Sequence, residues 1–86
     1  MPNVRVLIVD DEALNRQTLR YCLEPEGFVI DEAADGAEAW AMLSGGEAQY
    51  DAILLDRKMP EMDGMEVLAK IKGDPGLKAI PVIMQT

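Results

Sequence analysis

Four short, strongly apolar segments recur along the chain. They are Val4–Asp10, Phe28–Ala33, Asp51–Asp56 and Ile80–Gln85. Runs of β-branched and aliphatic residues this short predict buried strands rather than helices. The second run carries Asp31 and Glu32 in its interior, which predicts that this strand lies at an edge of the sheet.

The segment after the first strand has the spacing of a helix. It runs from Glu12 to about Glu24, and Pro25 and Gly27 end it. Its apolar stripe is predicted to consist of Leu14, Thr18, Tyr21 and Cys22. This stripe would face the sheet, so Cys22, the only cysteine, is expected to be a small core residue.

Two further helices are predicted to begin at capping boxes, in which an aspartate caps the helix and a glutamate three residues later bonds back. Asp35–Glu38 opens a helix that runs to about Ser44, and Asp63–Glu66 opens one that ends before Gly73. The residues expected to pack the second helix on the sheet are Trp40, Ala37 and Ala41.

The resulting element order, β-α-β-α-β-α-β, predicts the fold class. Strands that alternate with helices form a parallel sheet with right-handed crossovers and helices on both faces. No linker or low-complexity tract interrupts the 86 residues. The chain is therefore predicted to be one doubly wound α/β domain over residues 1–86.

Composition excludes several classes of function. The net charge is −8, which argues against binding to nucleic acid. The absence of histidine excludes His-based nucleophile pairs, His acid–base catalysis and His-ligated zinc. No apolar run reaches the ~18–20 residues of a membrane span, and Met1–Asn3 leads directly into a strand. A single cysteine fits a reducing compartment, so we expect a cytoplasmic protein with no membrane contact.

Three aspartates stand where predicted strands end. Asp10 and Asp11 follow the first strand, and Asp56 closes the third. Ligands of open parallel sheets bind outside the carboxyl ends of the strands, where the winding reverses. If the first and third strands are neighbours, the three carboxylates repel one another there, and a hard cation such as Mg²⁺ would relieve the repulsion. The alternative is that Asp11 caps the first helix while Asp10 and Asp56 are solvated strand ends.

Other acidic and phosphate-binding motifs fail on spacing. Counted from Asp56, an EF-hand would need oxygen ligands where Lys58 and Pro60 stand. The D-x-D motif of haloacid dehalogenase-type phosphatases would likewise need an acid at Lys58. The first strand-to-helix turn holds Asp10–Glu12 instead of a glycine-rich phosphate loop.

Three motifs together resemble the receiver domains of two-component response regulators. They are VLIVDDE at Val6–Glu12, LLDRKMPEMDG at Leu54–Gly64 and IPVIMQT at Ile80–Thr86, in the order and spacing of that family. The resemblance covers the whole chain. It implies a flavodoxin-like sheet with strand order 2-1-3-4.

The resemblance also implies a role for each candidate site residue. Asp56 would be the phosphoacceptor and a Mg²⁺ ligand, Asp11 a direct ligand, and Asp10 a ligand mainly through water. The backbone carbonyl of Lys58 would complete the metal site, and Thr86 would be the switch hydroxyl that bonds a phosphoryl oxygen. The donor would be a histidine kinase or a histidine phosphotransfer protein. The chain would thus be a regulatory phosphoacceptor and not an enzyme acting on separate substrates.

The family's characteristic lysine follows a fifth strand, which would lie beyond Thr86. Lys78 cannot replace it, since it stands at the entry to the fourth strand. We therefore expect a receiver that lacks the last helix, strand and helix, with Mg²⁺ binding retained and phosphorylation weakened or lost. The alternative is a phosphorylation-independent interaction or dimerisation module. The exposed fourth strand predicts a homodimer, formed through that edge or by element exchange.

Overall fold

A computed structural model describes residues 4–45, 49–56 and 64–85 of the chain. Strands and helices alternate along them, as predicted. The elements are β1 (Arg5–Val9), α1 (Ala13–Leu23), β2 (Val29–Ala33), α2 (Gly36–Ser44), β3 (Ala52–Asp56), α3 (Gly64–Lys72) and β4 (Val82–Gln85). A 3-10 turn follows α1 and ends at Gly27, whose φ of 95° lies in the left-handed region that favours glycine. No helix within these ranges is both long and apolar enough to cross a membrane.

The sheet is parallel, with the strand order β2-β1-β3-β4. This order confirms the predicted 2-1-3-4 arrangement of a flavodoxin-like receiver fold and places β2 at an edge. Val9 pairs with Ala33 on one side and with Leu55 on the other. Because the register is aligned in this way, the residues that follow Val9 and Leu55 lie side by side at the carboxyl ends of the two strands.

Each face of the sheet has its own apolar core, which confirms the double winding. On one face, strand residues pack against α2 and α3; the buried members include Leu7, Val9, Ile53, Leu55, Leu43, Val67 and Ile71. On the other face, Val6, Ile8 and Ile30 pack against Leu19 and Leu23 of α1. Complete burial of such a side chain contributes about 1.5–3 kcal/mol, and the two central strands, β1 and β3, supply several of these side chains.

α1 faces the sheet with a different stripe from the one predicted. Leu14 is 71% exposed, Tyr21 is 73% exposed, and Thr18 and Cys22 are exposed as well. The half-buried residues of α1 are Arg16, Leu19, Arg20 and Leu23. The predictions of the stripe and of a core cysteine were wrong because both arginines have acceptors on β2 and take up the inner face with their aliphatic stems.

The capping box that opens α2 forms as predicted. Asp35 Oδ1 accepts a hydrogen bond from the backbone N–H of Glu38 at 2.7 Å, and Glu38 Oε1 accepts one from the N–H of Ala34 at 3.2 Å. One N–H that the helix leaves unpaired, that of Glu38, is thereby satisfied, and the glutamate bonds back to the residue before the cap. The aspartate of the second predicted box, Asp63, lies outside the described residues.

The inner face of α2 was predicted only in part. The residues of α2 that are buried against the sheet are Gly36, Ala39 and Leu43. Ala37 and Ala41 are exposed, so their predicted packing was wrong. Trp40 is half-buried at the flank of the helix, where the ammonium of Lys70 on α3 lies 5.3 Å from its ring centre. Trp40 therefore packs toward the neighbouring helix, where its ring attracts a cation.

Candidate metal centre

Three aspartates meet at the carboxyl ends of the two central strands. Asp10 directly follows β1, Asp11 comes next, and Asp56 is the last residue of β3. One carboxylate oxygen from each residue lies within 4.8 Å of those of the other two. The structure therefore brings together the three aspartates that the sequence singled out. The two other predicted site residues, Lys58 and Thr86, lie outside the described residues.

The environment of Asp10 holds its carboxylate in one place. Asp10 is only 4% exposed, and its N–H donates to the carbonyl of Ala33 on β2 at 3.1 Å. Its Oδ1 accepts a 2.8 Å hydrogen bond from the N–H of Glu12. Glu12 is the N-cap residue of α1, and its side chain makes no capping hydrogen bond within the described residues. Asp11 is therefore not the cap that the alternative interpretation required, and its carboxylate is exposed beside Asp10.

The electrostatics of this cluster favour a cation. Two unit negative charges 4.8 Å apart repel by about 1 kcal/mol in water and by about 3.5 kcal/mol at an effective dielectric of 20. The donors are all carboxylate oxygens, the hard ligands that Mg²⁺ takes while it retains several waters. Two oxygens bound directly to one Mg²⁺ lie at most about 4.2 Å apart, twice the metal–oxygen distance. Oxygens that lie within 4.8 Å of one another are close enough to share one such ion, either directly or through its waters.

An arginine–glutamate network beside the aspartates was missed in the sequence. Arg16 Nη1 donates to the backbone carbonyl of Asp10 at 2.6 Å, and Arg16 Nε donates to Glu32 Oε1 at 3.0 Å. The other oxygen of Glu32 accepts from Arg20 Nε at 2.7 Å. The sequence does contain a signal for this network. Arg16 and Arg20 stand one helical turn apart in the predicted helix, and Glu32 is an acidic residue within an apolar strand that could accept from both.

The same network shifts the protonation of its members. Hydrogen bonding from Arg20, and then from Arg16, holds the pKa of Glu32 below its ordinary value, while burial acts in the opposite direction. The hydrogen bond to Glu32 is also the largest cause that raises the pKa of Arg20. Both shifts favour the ionised pair, so α1 and β2 are joined by charges at neutral pH.

Comparison with known sequences points to one family. The family model for the response regulator receiver domain matches residues 6–86. The chain is 51% identical over 82 residues to the transcriptional regulatory protein ResD of Bacillus subtilis. The aligned region covers 95% of this chain and 32% of ResD. The chain thus spans about a third of the length of that curated relative.

Solved structures agree with the sequence comparison. The receiver domain of a signal transduction histidine kinase from Syntrophus aciditrophicus matches with a TM-score of 0.91 and 37% identity, over 96% of this chain and 61% of that one. The phosphorylated cyanobacterial phytochrome response regulator RcpA matches with a TM-score of 0.90 and 33% identity, over 96% and 64% respectively.

The fold and the site define a doubly wound α/β domain whose central strands end in an acidic cluster. The solved receiver domains that match this chain share its fold. The chain belongs to the response regulator receiver domain family. Domains of this family are regulatory and serve in two-component signalling, where the phosphoryl group is carried on an aspartate.

Proposed function

We propose that this chain is the phosphoacceptor of a two-component phosphorelay. Asp56 accepts the phosphoryl group of a phosphohistidine on a histidine kinase or a histidine phosphotransfer protein. Asp10, Asp11, Asp56 and the backbone carbonyl of Lys58 hold a Mg²⁺ ion. The observation that carries the proposal is the convergence of three carboxylates in a chain of the receiver family.

The proposed transfer is a displacement at phosphorus. A carboxylate oxygen of Asp56 forms a bond to phosphorus while the bond from phosphorus to the donor's imidazole nitrogen breaks. If the other ring nitrogen carries its proton, the donor leaves as a neutral imidazole, and Asp56 becomes an acyl phosphate. A carboxylate suffices as nucleophile because positioning and charge stabilisation supply most of the barrier reduction in phosphoryl transfer. Thr86 would donate its hydroxyl to a phosphoryl oxygen after the transfer.

The two neighbouring aspartates suit different parts in holding the ion. Asp11 is exposed, so its carboxylate is available for direct ligation. Asp10 is buried, and its Oδ1 is already engaged by the N–H of Glu12, which suits contact through water. A bound Mg²⁺ would supply positive charge against the carboxylates and the phosphoryl oxygens.

The acceptor assignment is tested by labelling the 86-residue chain with a radioactive small phosphodonor in the presence of Mg²⁺. We expect the radioactive phosphoryl group to be incorporated only when Mg²⁺ is present. Incorporation should persist in the variant Asp51→Asn and be lost in Asp56→Asn. Asp51 is a matched control because it precedes the same strand at its opposite end, and asparagine can still accept the bond from the N–H of Arg5. Label that persists in Asp56→Asn would overturn the assignment.

The apolar residues exposed on α1 support docking of a protein donor beside the site. Leu14 and Tyr21 are exposed on the helix that begins two residues after Asp11. They are large side chains that a partner surface would cover. Leu14→Glu should therefore slow transfer from a phosphorylated histidine kinase and leave labelling by a small phosphodonor unchanged. Equal effects on both donors would contradict donor docking on α1.

The characteristic lysine of the family is not among residues 1–86. We propose that the isolated 86-residue polypeptide binds Mg²⁺ but is acylated only in part, because the charge that such a lysine supplies to the phosphoryl group is missing. Intact mass spectrometry after treatment with the small phosphodonor measures the fraction that is acylated. Stoichiometric acylation of Asp56 would refute the second half of this proposal.

A phosphorylation-independent dimerisation module is the second candidate, and one observation favours it. Ile83 on the edge strand β4 is 54% exposed and lies beside Leu54 in the register. An apolar edge strand is open to pairing with a second copy. Sedimentation should then show a dimer that Ile83→Lys dissociates and that Leu14→Lys, on the remote helix, leaves intact. A monomer at high concentration would exclude this candidate.

A further inference from the structure

We infer that Arg16 is a positioning residue of the metal site: its guanidinium sets the place of Asp11 by holding the carbonyl of Asp10 against β2. The assignment rests on the proposed metal binding. It concerns a residue that lies outside the three acidic ligands and contacts one of them only through its backbone. Arg16 is held in place, because its side chain is only 17% exposed and bonds at both Nη1 and Nε.

The connection from Arg16 to Asp11 runs through a single peptide plane. The carbonyl of Asp10 and the N–H of Asp11 belong to the same planar unit, which ends at the Cα atom of Asp11. Arg16 Nη1 bonds that carbonyl at 2.6 Å. On the amino side of the same residue, the N–H of Asp10 donates to the carbonyl of Ala33 at 3.1 Å. Because both the N–H and the carbonyl of Asp10 are hydrogen-bonded, the orientation of the peptide plane that leads to Asp11 is fixed.

Glu32 fixes the guanidinium of Arg16 in the position from which it bonds Asp10. Its Oε1 accepts from Arg16 and its Oε2 accepts from Arg20, so each arginine has an oxygen of its own and the bond from Arg16 does not require Arg20. Arg16 can bond Glu32 and Asp10 together because its Nε and Nη1 are donors in one planar group. A lysine at this position would have only one nitrogen for two acceptors, the carbonyl of Asp10 after β1 and the carboxylate of Glu32 on β2.

A simple charge effect predicts the opposite result. The guanidinium bonds the backbone of one of the three clustered aspartates, so its positive charge would compete with a bound cation and weaken its binding. Removal of the charge would then tighten Mg²⁺ binding. Positioning predicts that binding weakens even though a competing charge has been removed.

Three variants separate these effects: Arg16→Met, Arg16→Lys and, as a matched control, Arg20→Met. Arg20 bonds the same Glu32 one turn further along α1 and donates to the carbonyl of Ile30, away from the site. Mg²⁺ affinity is measured from the amide NMR shifts of Asp11 and Glu12. Both Arg16 variants should bind Mg²⁺ about tenfold more weakly, as is typical when a partner of a metal ligand is removed, whereas Arg20→Met should stay close to wild type.

A metal-free measurement keeps the inference testable by itself. The N–H of Glu12 bonds to Asp10 Oδ1, so its hydrogen exchange reports how firmly the loop is held. Exchange at Glu12 should quicken in both Arg16 variants and not in Arg20→Met. If the Arg16 variants do not fold, Glu32→Gln, which leaves one carbonyl oxygen to share, should show a smaller change in the same direction.

Two results would overturn the inference. One is tighter Mg²⁺ binding in Arg16→Met with unchanged binding in Arg16→Lys, which is the signature of charge alone. The other is unchanged exchange at Glu12 in both Arg16 variants. A wild-type chain that does not bind Mg²⁺ would instead refute the proposed function, while the exchange measurement would still decide the role of Arg16.

Discussion

The hydroxyl of Tyr50 donates a 2.7 Å hydrogen bond to Asp31 Oδ2, although the two residues are 19 positions apart along the chain. Arg5 Nη1 donates to the same oxygen at 2.9 Å. Tyr50 lies just before β3, Asp31 on β2 and Arg5 at the start of β1. One carboxylate thus joins three strands, toward the end of the sheet opposite the aspartate cluster.

This bond predicts a loss of stability in alkali. Burial, and then the hydrogen bond to Asp31, raise the pKa of Tyr50 from 10.0 to about 12. The folded state therefore favours the neutral phenol, and the stability that this provides is complete below pH 10 and is lost as the pH rises toward 12. A shift of this size corresponds to about 2–3 kcal/mol.

Urea unfolding from neutral pH to pH 12 measures this loss. Tyr50→Phe is the control, because it retains the ring and removes the titrating hydroxyl. The variant should be less stable than wild type at neutral pH and should lose less stability between pH 10 and pH 12. Equal losses in the two proteins would show that Tyr50 does not cause them.

In acid, the relevant group is Glu32. Its pKa in the folded state is lowered, chiefly by the hydrogen bond from Arg20. Its contribution to stability is therefore present above its ordinary pKa of 4.5 and disappears as the pH falls through the lower folded value. Glu32→Gln should reduce stability at neutral pH and flatten the acid limb of the stability curve. Glu26→Gln, on the exposed 3-10 turn, should leave that limb unchanged.

Replacement of Asp11 by asparagine should separate folding from metal binding. Without metal, the variant should be more stable than wild type by about 1 kcal/mol, because one repulsive charge is gone. Wild type should gain about 2.7 kcal/mol at a Mg²⁺ concentration 100 times its Kd, and the variant far less at that concentration. Asp35→Asn is the control, since asparagine caps a helix as well as aspartate does. An unchanged Mg²⁺ response in Asp11→Asn would rule out Asp11 as a ligand.

Two leucines test which side of the fold is packed. Leu7 is completely buried in the central strand, and Leu7→Ala should lower the free energy of unfolding by about 3 kcal/mol. Leu14 is exposed on α1, and Leu14→Ala should change that free energy by no more than about 0.5 kcal/mol. Chemical denaturation measures both. Similar losses at the two positions would mean that Leu14 is covered in solution.

Local pattern in the sequence determined the order of the elements and the chemistry at the strand ends. Short aliphatic runs place Asp10 and Asp56 at the carboxyl ends of strands, since the side chains before them are those that a buried strand requires. The box at Asp35 and Glu38 is equally local, because both of its bonds lie within five consecutive residues. For such features, neighbours along the chain are also neighbours in space.

Local pattern left open which strands lie together, an order that only the family resemblance implied, and the tertiary structure alone decided which side of α1 turns inward. Hydropathy favoured Leu14 and Tyr21 for that side, yet Arg16 and Arg20 occupy it because Glu32, on another strand, supplies their acceptor. A residue's own polarity cannot reveal a partner that folding brings from elsewhere in the chain. The same holds for Asp10 and Asp56, whose shared site exists only because β1 and β3 pair in register.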